Sequence, residues 1–503
     1  MKYSYPLCLL FLLSCPHLFS QSFDGFTLYN EQNRNTTYLI DKDGNTSFTW
    51  DCNTSGNYAV HLTEEGNLIR GGVYSGNQLT GAAIGGMIQE YDSNGDVVWE
   101  YVYSTSDHCS HHDFTVLPNG NVILIAWEVK TVAELTQAGV SNASTEQWPT
   151  HFIELEPDGN GSATIVWEWH MWDHMIQDVD NTKDNYGVVA DHPELMDINA
   201  LTVSSRPGPG GGGGDWFHVN GIDYNEELDQ LVFTSRFASE IFIIDHSTTT
   251  AEAASHSGGN SGMGGDFLYR WGNPSNYGHS GTQEIPAAVH DPRWIKDGRP
   301  YAGYIQFFNN EGGSGGSSSV DAIKTPIDGY NYTYDKGEAF APSTVSKRHD
   351  CIDNADGQSA SDRMSNGNIF VALSREYMYE VDSNDKIVWQ YSASPAKAFR
   401  FECDYDGIIA LLGESPCGTV SIDEPSSQTV ELYPNPSTGT VQIGLQNAES
   451  LELAEVYDLL GNRVFTQNSA NAMNLGELAK GVYTVKLTFN NHSSISQQIV
   501  LCQ

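Results

Sequence analysis

The chain of 503 residues carries 64 Asp and Glu against 24 Lys and Arg, a formal net charge of −40, and its pI is near 4.5. So acidic a surface repels polyphosphate and anionic headgroups, which excludes nucleic acid or an anionic membrane as the main partner. The length suffices for one large domain with a sizeable core and something smaller beside it.

Met1-Lys2-Tyr3, the apolar run Leu7 to Leu13 and the segment Leu18-Phe19-Ser20 read as a signal peptide over residues 1–20, cut near Ser20 and Gln21. Acylation at Cys15, as in a lipoprotein, is the alternative. No later run reaches the ~20 apolar residues of a membrane span, so no transmembrane segment is expected. Removal of the signal leaves Cys52, Cys109, Cys351, Cys403, Cys417 and Cys502, with no CxxC pair. In an exported chain disulfides are the default, and the sequence does not choose the pairing.

Two phrases alternate along residues 21–420. In one, an Asp/Asn/Gly turn leads to a tryptophan: Leu39 to Trp50, Glu90 to Trp99, Glu154 to Trp167, Ile244 to Trp271 and Glu380 to Trp389. Each reads as an outer hairpin. In the other, a turn precedes an apolar strand: Glu65 to Ile69, Asn119 to Leu124, Asp229 to Phe233, Asp297 to Gln306, Asn366 to Phe370 and Asp406-Gly407-Ile408-Ile409-Ala410. Two hairpins make the four strands of a propeller blade, and the count predicts an all-β chain with a six-bladed β-propeller over residues 21–420. The unit around 310–345 lacks its tryptophan. Two glycine-rich stretches, Pro207 to Gly214 and Gly312 to Ser319, cannot pack a core and are expected as loops. The first runs into Asp215-Trp216-Phe217-His218 and would overhang a site there.

Beyond Ser426 the texture changes. After a linker at 421–428, residues 429–503 read as short strands with turns at Gly461-Asn462 and Gly481, a small C-terminal β-sandwich. On Tyr433-Pro434-Asn435-Pro436, Asp458-Leu459-Leu460-Gly461 and Gly481-Val482-Tyr483, this tail resembles the type A sorting domain of the type IX secretion system of Bacteroidetes. The resemblance implies the type IX machinery as a partner. It further implies passage through the periplasm to the cell surface or the medium, usually with removal of the tail.

Histidine recurs at one place in the repeated unit: His111-His112-Asp113 before Pro118-Asn119-Gly120-Asn121, His218-Val219-Asn220 before Glu226 to Asp229, and His290-Asp291 before Lys296-Asp297-Gly298. In a closed repeat, equivalent positions converge, so three imidazoles would face one another on the axis. Period-two alternation puts His218 and Asn220 on one face, and Arg236 stands at the end of the adjoining strand. A planar, permanently charged Arg beside Asn and His donors suits a tetrahedral oxyanion such as sulfate or phosphate. The competing structural reading has Arg236 in a salt bridge and His218 capping a turn. A neutral imidazole can act as nucleophile or general base, so the set suggests transfer of an anionic group through a covalent histidine intermediate.

Residues 35–415 resemble the bacterial arylsulfotransferase family, also called aryl-sulfate sulfotransferases. The resemblance rests on His111-His112-Asp113-Phe114, the run Val166 to His174, His218-Val219-Asn220, Ser235-Arg236 and Tyr269-Arg270-Trp271-Gly272-Asn273-Pro274. It implies a six-bladed propeller that moves a sulfuryl group from a phenolic sulfate donor to a phenol acceptor, with neither PAPS nor another dissociable cofactor. By the same resemblance His290 is the nucleophile that becomes sulfated, His218, Asn220 and Arg236 bind and polarise the sulfuryl oxygens, and His112 is a further active-site histidine. Trp172, His174 and Trp216 are expected in the substrate-binding pocket.

His170 and His174 have a spacing that invites a metal, but among Trp167, Trp169 and Trp172 an aromatic-lined pocket is the better reading, and no metal ligand is assigned. His246, His256 and His279 read as surface or loop residues. The phrases at Asp41 to Asn45 and Asp92 to Asp96 resemble the start of a calcium loop, yet Cys52 and Tyr103 stand where an EF-hand needs glutamate, and hairpin turns explain them. A structural calcium ion elsewhere is compatible with so acidic a chain. Two rivals to the transferase are a non-catalytic propeller that binds a sulfated or anionic ligand, and a sulfatase-like hydrolase in which water replaces the phenol.

Overall fold

The computed structural model describes residues 22–201, 213–417, 430–445, 451–458, 462–468, 471–489 and 494–502. The expected signal peptide, most of the first glycine-rich stretch and the linker at 421–428 lie outside the described residues. The chain divides into two compact units, Met1–Cys417 and Gly418–Gln503.

Among the described residues the first unit is built mainly from six four-stranded antiparallel sheets, five of them from strands that follow one another along the chain. The second sheet runs Gly56–Leu62, Leu68–Val73, Gly86–Tyr91 and Val97–Val102. The third runs His108–Val116, Val122–Glu128, Thr150–Pro157 and Ala163–His170. The fourth comprises Val219–Asn225, Gln230–Ser235, Glu240–Asp245 and Tyr269–Trp271, and the fifth Val289–Trp294, Ile305–Asn309, Ser319–Ile323 and Lys347–Asp350. The sixth has Ala360–Arg363, Ile369–Leu373, Tyr377–Val381 and Ile387–Tyr391. The first sheet joins both ends of the unit: Pro395–Glu402 pairs with Gly25–Glu31, followed by Thr36–Ile40 and Thr46–Asp51. No sheet closes on itself.

The leading strands pack in a ring. Gly56–Leu62 lies against His108–Val116, which lies against Val219–Asn225, then Val289–Trp294, Ala360–Arg363, Pro395–Glu402 and back to Gly56–Leu62. The recurrent tryptophans sit on outer strands and reach the neighbouring sheet. The indole N–H of Trp50 donates to Asp92 O, that of Trp167 to Thr248 Oγ1, and that of Trp389, in the last sheet, to Lys42 O in the first. At these three positions the ring fills the gap between two sheets and its one polar atom finds a partner there, whereas Trp99 donates to Glu90 in its own sheet. In the fifth sheet, whose outer strand Lys347–Asp350 carries no tryptophan, that strand arrives after an excursion of residues 324–346.

One expected strand is a helix. Asp406 to Ala410 was read as a turn and strand, but Asp406–Leu412 is helical. Pro395–Glu402 already completes the first sheet, and Ile408 with Leu411 and Leu412, at helical spacing, packs on Leu62 and Leu68 instead. The Cys403–Cys417 disulfide spans this helix. The Asp41 and Asp92 turns use their carboxylates on the backbone, since each Oδ1 accepts N–H groups two and four residues on.

The second unit has a three-stranded sheet of Val430–Tyr433, Thr440–Leu445 and Ala472–Asn474, and a four-stranded sheet of Arg463–Asn468, Leu451–Tyr457, Gly481–Phe489 and Ser494–Leu501. Val441, Val456, Val485 and Ile499 share its core. Gly481 opens a strand rather than forming a turn, and Gly461 lies outside the described residues. Among the described residues no helix is long and apolar enough to cross a membrane.

Candidate active site

At one end of the ring the leading strands depart from regular pairing. The register shifts between Ser110 and Phe114, between Val219 and Gly221, and between His290 and Arg293. His112, His218, Asp291 and Gln358 adopt φ of 54°, 50°, 50° and 54°, a region that costs a non-glycine residue about 1–3 kcal/mol and that clusters at functional sites. Bulges of this kind re-aim side chains. Here they turn His112, His218 and His290, together with Arg236, into one pocket of about 300 Å³, with Tyr58, Gln358 and Arg375 also in its wall.

His290 is 2% exposed. Its Nδ1 lies 2.8 Å from Ala288 O and 2.7 Å from Asn310 Oδ1, both acceptors, so Nδ1 carries the hydrogen and Nε2 keeps its lone pair. Asn310 is itself pinned by donation to Ala355 O at 2.7 Å. Burial, and then the nearby Arg236 charge, push the His290 imidazole well below its ordinary pKa. It is a neutral base in a fixed tautomer, the form a nitrogen nucleophile requires.

His218 Nδ1 donates to Asp215 Oδ2 at 2.7 Å, while Asp215 Oδ1 accepts from the His218 backbone N–H at 3.0 Å and from Trp127 Nε1 at 3.1 Å. Burial pushes the Asp215 carboxyl up, but these partners outweigh it and hold it below the usual range. The His112 and His218 rings meet edge-on, centroids 4.6 Å apart. His112 is driven well below its ordinary pKa by burial and then by the neighbouring His218. Its Nδ1 is 2.7 Å from His111 Nδ1.

Arg236 follows the strand Gln230–Ser235, and its backbone N–H donates to His218 O at 3.1 Å. The residue is 3% exposed, yet Nε has no partner among the described residues. Nη1 is 3.4 Å from Asp356 O, and Nη2 is 3.9 Å from Glu311, which is mostly exposed. A buried guanidinium so loosely engaged is poised for an anion. Gly357 lies over both groups: a Cβ there would stand 3.4 Å from Arg236 Nη1 and 4.0 Å from His290 Cε1.

Four of the expected site residues, His112, His218, Arg236 and His290, thus share the pocket, and four do not. Asn220 is turned away by the bulge beside it, which breaks the period-two alternation assumed for it. Its Nδ2 donates to Val289 O at 2.8 Å and its Oδ1 accepts from Thr234 at 2.7 Å, so it braces the residue before His290. Trp216 is buried and donates to Leu201 O. Trp172 packs at the edge of the same core, with Lys130 Nζ 5.0 Å above its ring. His174, fully buried, stacks on Trp169. Three histidines expected at the surface have partners: His246 contacts Asp229 and Glu154, His256 contacts Asp266, and His279 contacts Tyr334. Asp215 and Asn310, which orient the two imidazoles, carry no sequence signal beyond lying near His218 and just ahead of the second glycine-rich loop.

Beneath the pocket, Lys397 on the strand Pro395–Glu402 reaches Asp113 Oδ2 at 2.7 Å and Asp291 Oδ1 at 3.1 Å. All three are buried, so one ammonium joins the first, third and fifth sheets directly below His112 and His290.

Residues 18–399 match the arylsulfotransferase (ASST) family, which is over half of the chain; the protein belongs to that family. Residues 431–501 match the secretion system C-terminal sorting domain, which marks the chain for secretion or cell-surface export. No curated protein matches it. Among solved structures it is similar to a protein of unknown function from Bacteroides caccae (10% identity, 75% of this chain and 99% of that one, TM-score 0.40). Another is the periplasmic gluconolactonase PpgL of Pseudomonas aeruginosa (11% identity, 95% and 99%, TM-score 0.38). At such scores these likenesses add nothing to the reading of the site.

Proposed function

We propose that the six sheets are the blades of a six-bladed propeller and that the chain is a PAPS-independent aryl-sulfate sulfotransferase, working by a ping-pong cycle through a sulfohistidine at His290. The His290 Nε2 lone pair attacks sulfur of a phenolic sulfate ester. The bond from sulfur to the aryl oxygen breaks, its electron pair leaves with that oxygen, and His218, entering this half-reaction as the imidazolium paired with Asp215, supplies its Nε2 proton and becomes neutral. An acceptor phenol then gives its proton to His218 as its oxygen attacks sulfur, and the N–S bond returns its pair to Nε2. Arg236 holds the sulfuryl oxygens, with His112 beside them. Such transfer depends chiefly on positioning and charge stabilisation, so no nucleotide donor or dissociable cofactor is required.

The observation that carries this reading is the pairing of a tautomer-fixed neutral imidazole, His290, with a buried and under-satisfied guanidinium, Arg236, in one pocket. Anion binding alone needs the Arg and donors but no nucleophile. The test is intact and peptide mass after mixing the protein with p-nitrophenyl sulfate. A sulfuryl adduct on His290, discharged by added phenol and missing in His290→Ala, is expected. Free sulfate without phenol would make the protein a hydrolase; no adduct and no nitrophenol release would leave a ligand-binding propeller.

A further inference from the structure

We propose that His174, His256 and Asp266 form a zinc-class metal site between the third and fourth sheets, separate from the sulfuryl pocket. His174 ends the short turn Met171–His174, directly after the last strand of the third sheet. His256 and Asp266 belong to the excursion between Glu240–Asp245 and Tyr269–Trp271 of the fourth. His174 Nδ1 lies 2.7 Å and His256 Nδ1 2.8 Å from the same oxygen, Asp266 Oδ1, and the two rings stand at 84° with centroids 5.9 Å apart.

The outer contacts are those of a metal ligand. His174 Nε2 is 2.8 Å from Ala253 O, an acceptor only, so Nε2 carries hydrogen and Nδ1 is the nitrogen that faces the carboxylate. A second N–H committed to a backbone carbonyl is the usual device that orients a ligating histidine. The three ligand atoms lie within 4.8 Å of one another beside His174, which is 0% exposed, and a divalent ion there would be bound by all three groups. Two imidazoles and one carboxylate suit zinc, with a fourth position left for water. Calcium and magnesium prefer all-oxygen shells.

The local fold favours convergence of these three groups. The excursion carries five glycines between residues 254 and 268. A Cβ on Gly264 would come within 2.2 Å of Ser255 O, and one on Gly265 within 2.0 Å of Ala253 O. Only glycine permits this close return, which brings Asp266 beneath the rings. Trp169 stacks on His174 at 5.7 Å and donates its indole N–H to Gly265 O at 2.8 Å, locking both sides. Zinc bonds of about 2.0–2.1 Å separate tetrahedral donors by ~3.3 Å, so the donors need to open by about half an ångström. The His256 side chain, 63% exposed, is free to do so.

The test uses the full chain stripped with a chelator, titrated with zinc and followed by metal analysis and thermal unfolding. About one zinc per chain, a melting temperature that rises on zinc addition, and affinity at least ~10-fold weaker in His256→Ala are expected. His256 is exposed enough for that variant to fold, and Asp266→Asn provides a second one. No stoichiometric binding, or binding unchanged in both variants, would overturn the site; unfolding insensitive to zinc but weakened by Asp266→Asn would leave a hydrogen-bond cluster in its place.

Discussion

Asp215 Oδ2 lies 2.7 Å from His218 Nδ1, and both residues are buried. The carboxylate also accepts the His218 backbone N–H and the Trp127 indole, so it cannot turn away. Its consequence is a single imidazole tautomer, with Nε2 left for the pocket. In Asp215→Asn the amide can present its NH₂ to Nδ1 and favour the opposite tautomer. The expected loss in sulfuryl transfer is on the order of 10²–10⁴ in kcat, with folding intact by circular dichroism. A change of less than about tenfold would separate His218 from proton transfer.

Arg236→Lys keeps the charge but replaces a planar fork with a point donor. Because Arg236 Nε and its two loosely engaged terminal nitrogens have the only buried guanidinium lining the pocket among the described residues, the rate should fall by about 10²–10³. The adduct on His290 should then form slowly under single turnover. An unchanged kcat with a raised KM would mean that Arg236 binds the donor without stabilising the transition state.

What could be read from the chain, and what could not, has a physical pattern. Trp50, Trp167 and Trp389 were legible because a large ring with one polar atom recurs at contacts between successive sheets. His112, His218 and His290 were legible because each stands just ahead of a turn that the sequence spells out, and Arg236 because it ends the strand that follows one of those turns. Asn220 was not, because the bulge between Val219 and Gly221 reverses which face it occupies and nothing in the string of residues announces a bulge. The helix at Asp406–Leu412 hid behind Asp-Gly, a hairpin signal that the completed first sheet had no use for. Partners supplied from afar, such as Asn310 for His290 or Asp229 and Glu154 for His246, need the fold to bring them together.

Lys397 bridges Asp113 and Asp291, and Arg293 is a second cation on Asp291. Burial works against its charge, but the two carboxylates prevail and raise its pKa; burial likewise raises Asp291, and Arg293 and then Lys397 bring it down to about 2. Lys397→Met should therefore strand the buried Asp113 carboxylate, while Asp291 keeps Arg293, and cost about 3–5 kcal/mol in urea unfolding. Adding Asp113→Asn should recover part of that loss. A single variant within about 1 kcal/mol of the native protein would show that water or another group already serves the pair.

Stability should fall on both sides of neutrality, for different histidines. His111, His112, His151 and His290 are pushed down by burial, His111 to about 3. Once unfolded they bind protons near the ordinary ~6.5. Their contribution is therefore complete above that value and is lost as pH falls from it toward the folded pKa values. His246 behaves oppositely. Burial pulls its imidazolium down, but hydrogen bonds to Asp229 at 2.7 Å and Glu154 at 3.1 Å outweigh this and raise it to about 9. Its contribution is complete below ~6.5 and lost as pH rises through about 9. Urea midpoints measured from pH 4 to pH 10 should thus peak near neutrality, and His246→Asn should flatten the alkaline limb between roughly 6.5 and 9 while leaving the acid limb in place. An alkaline limb of the same slope in the variant would assign that loss to other groups and leave His246 as a neutral contact between the third and fourth sheets.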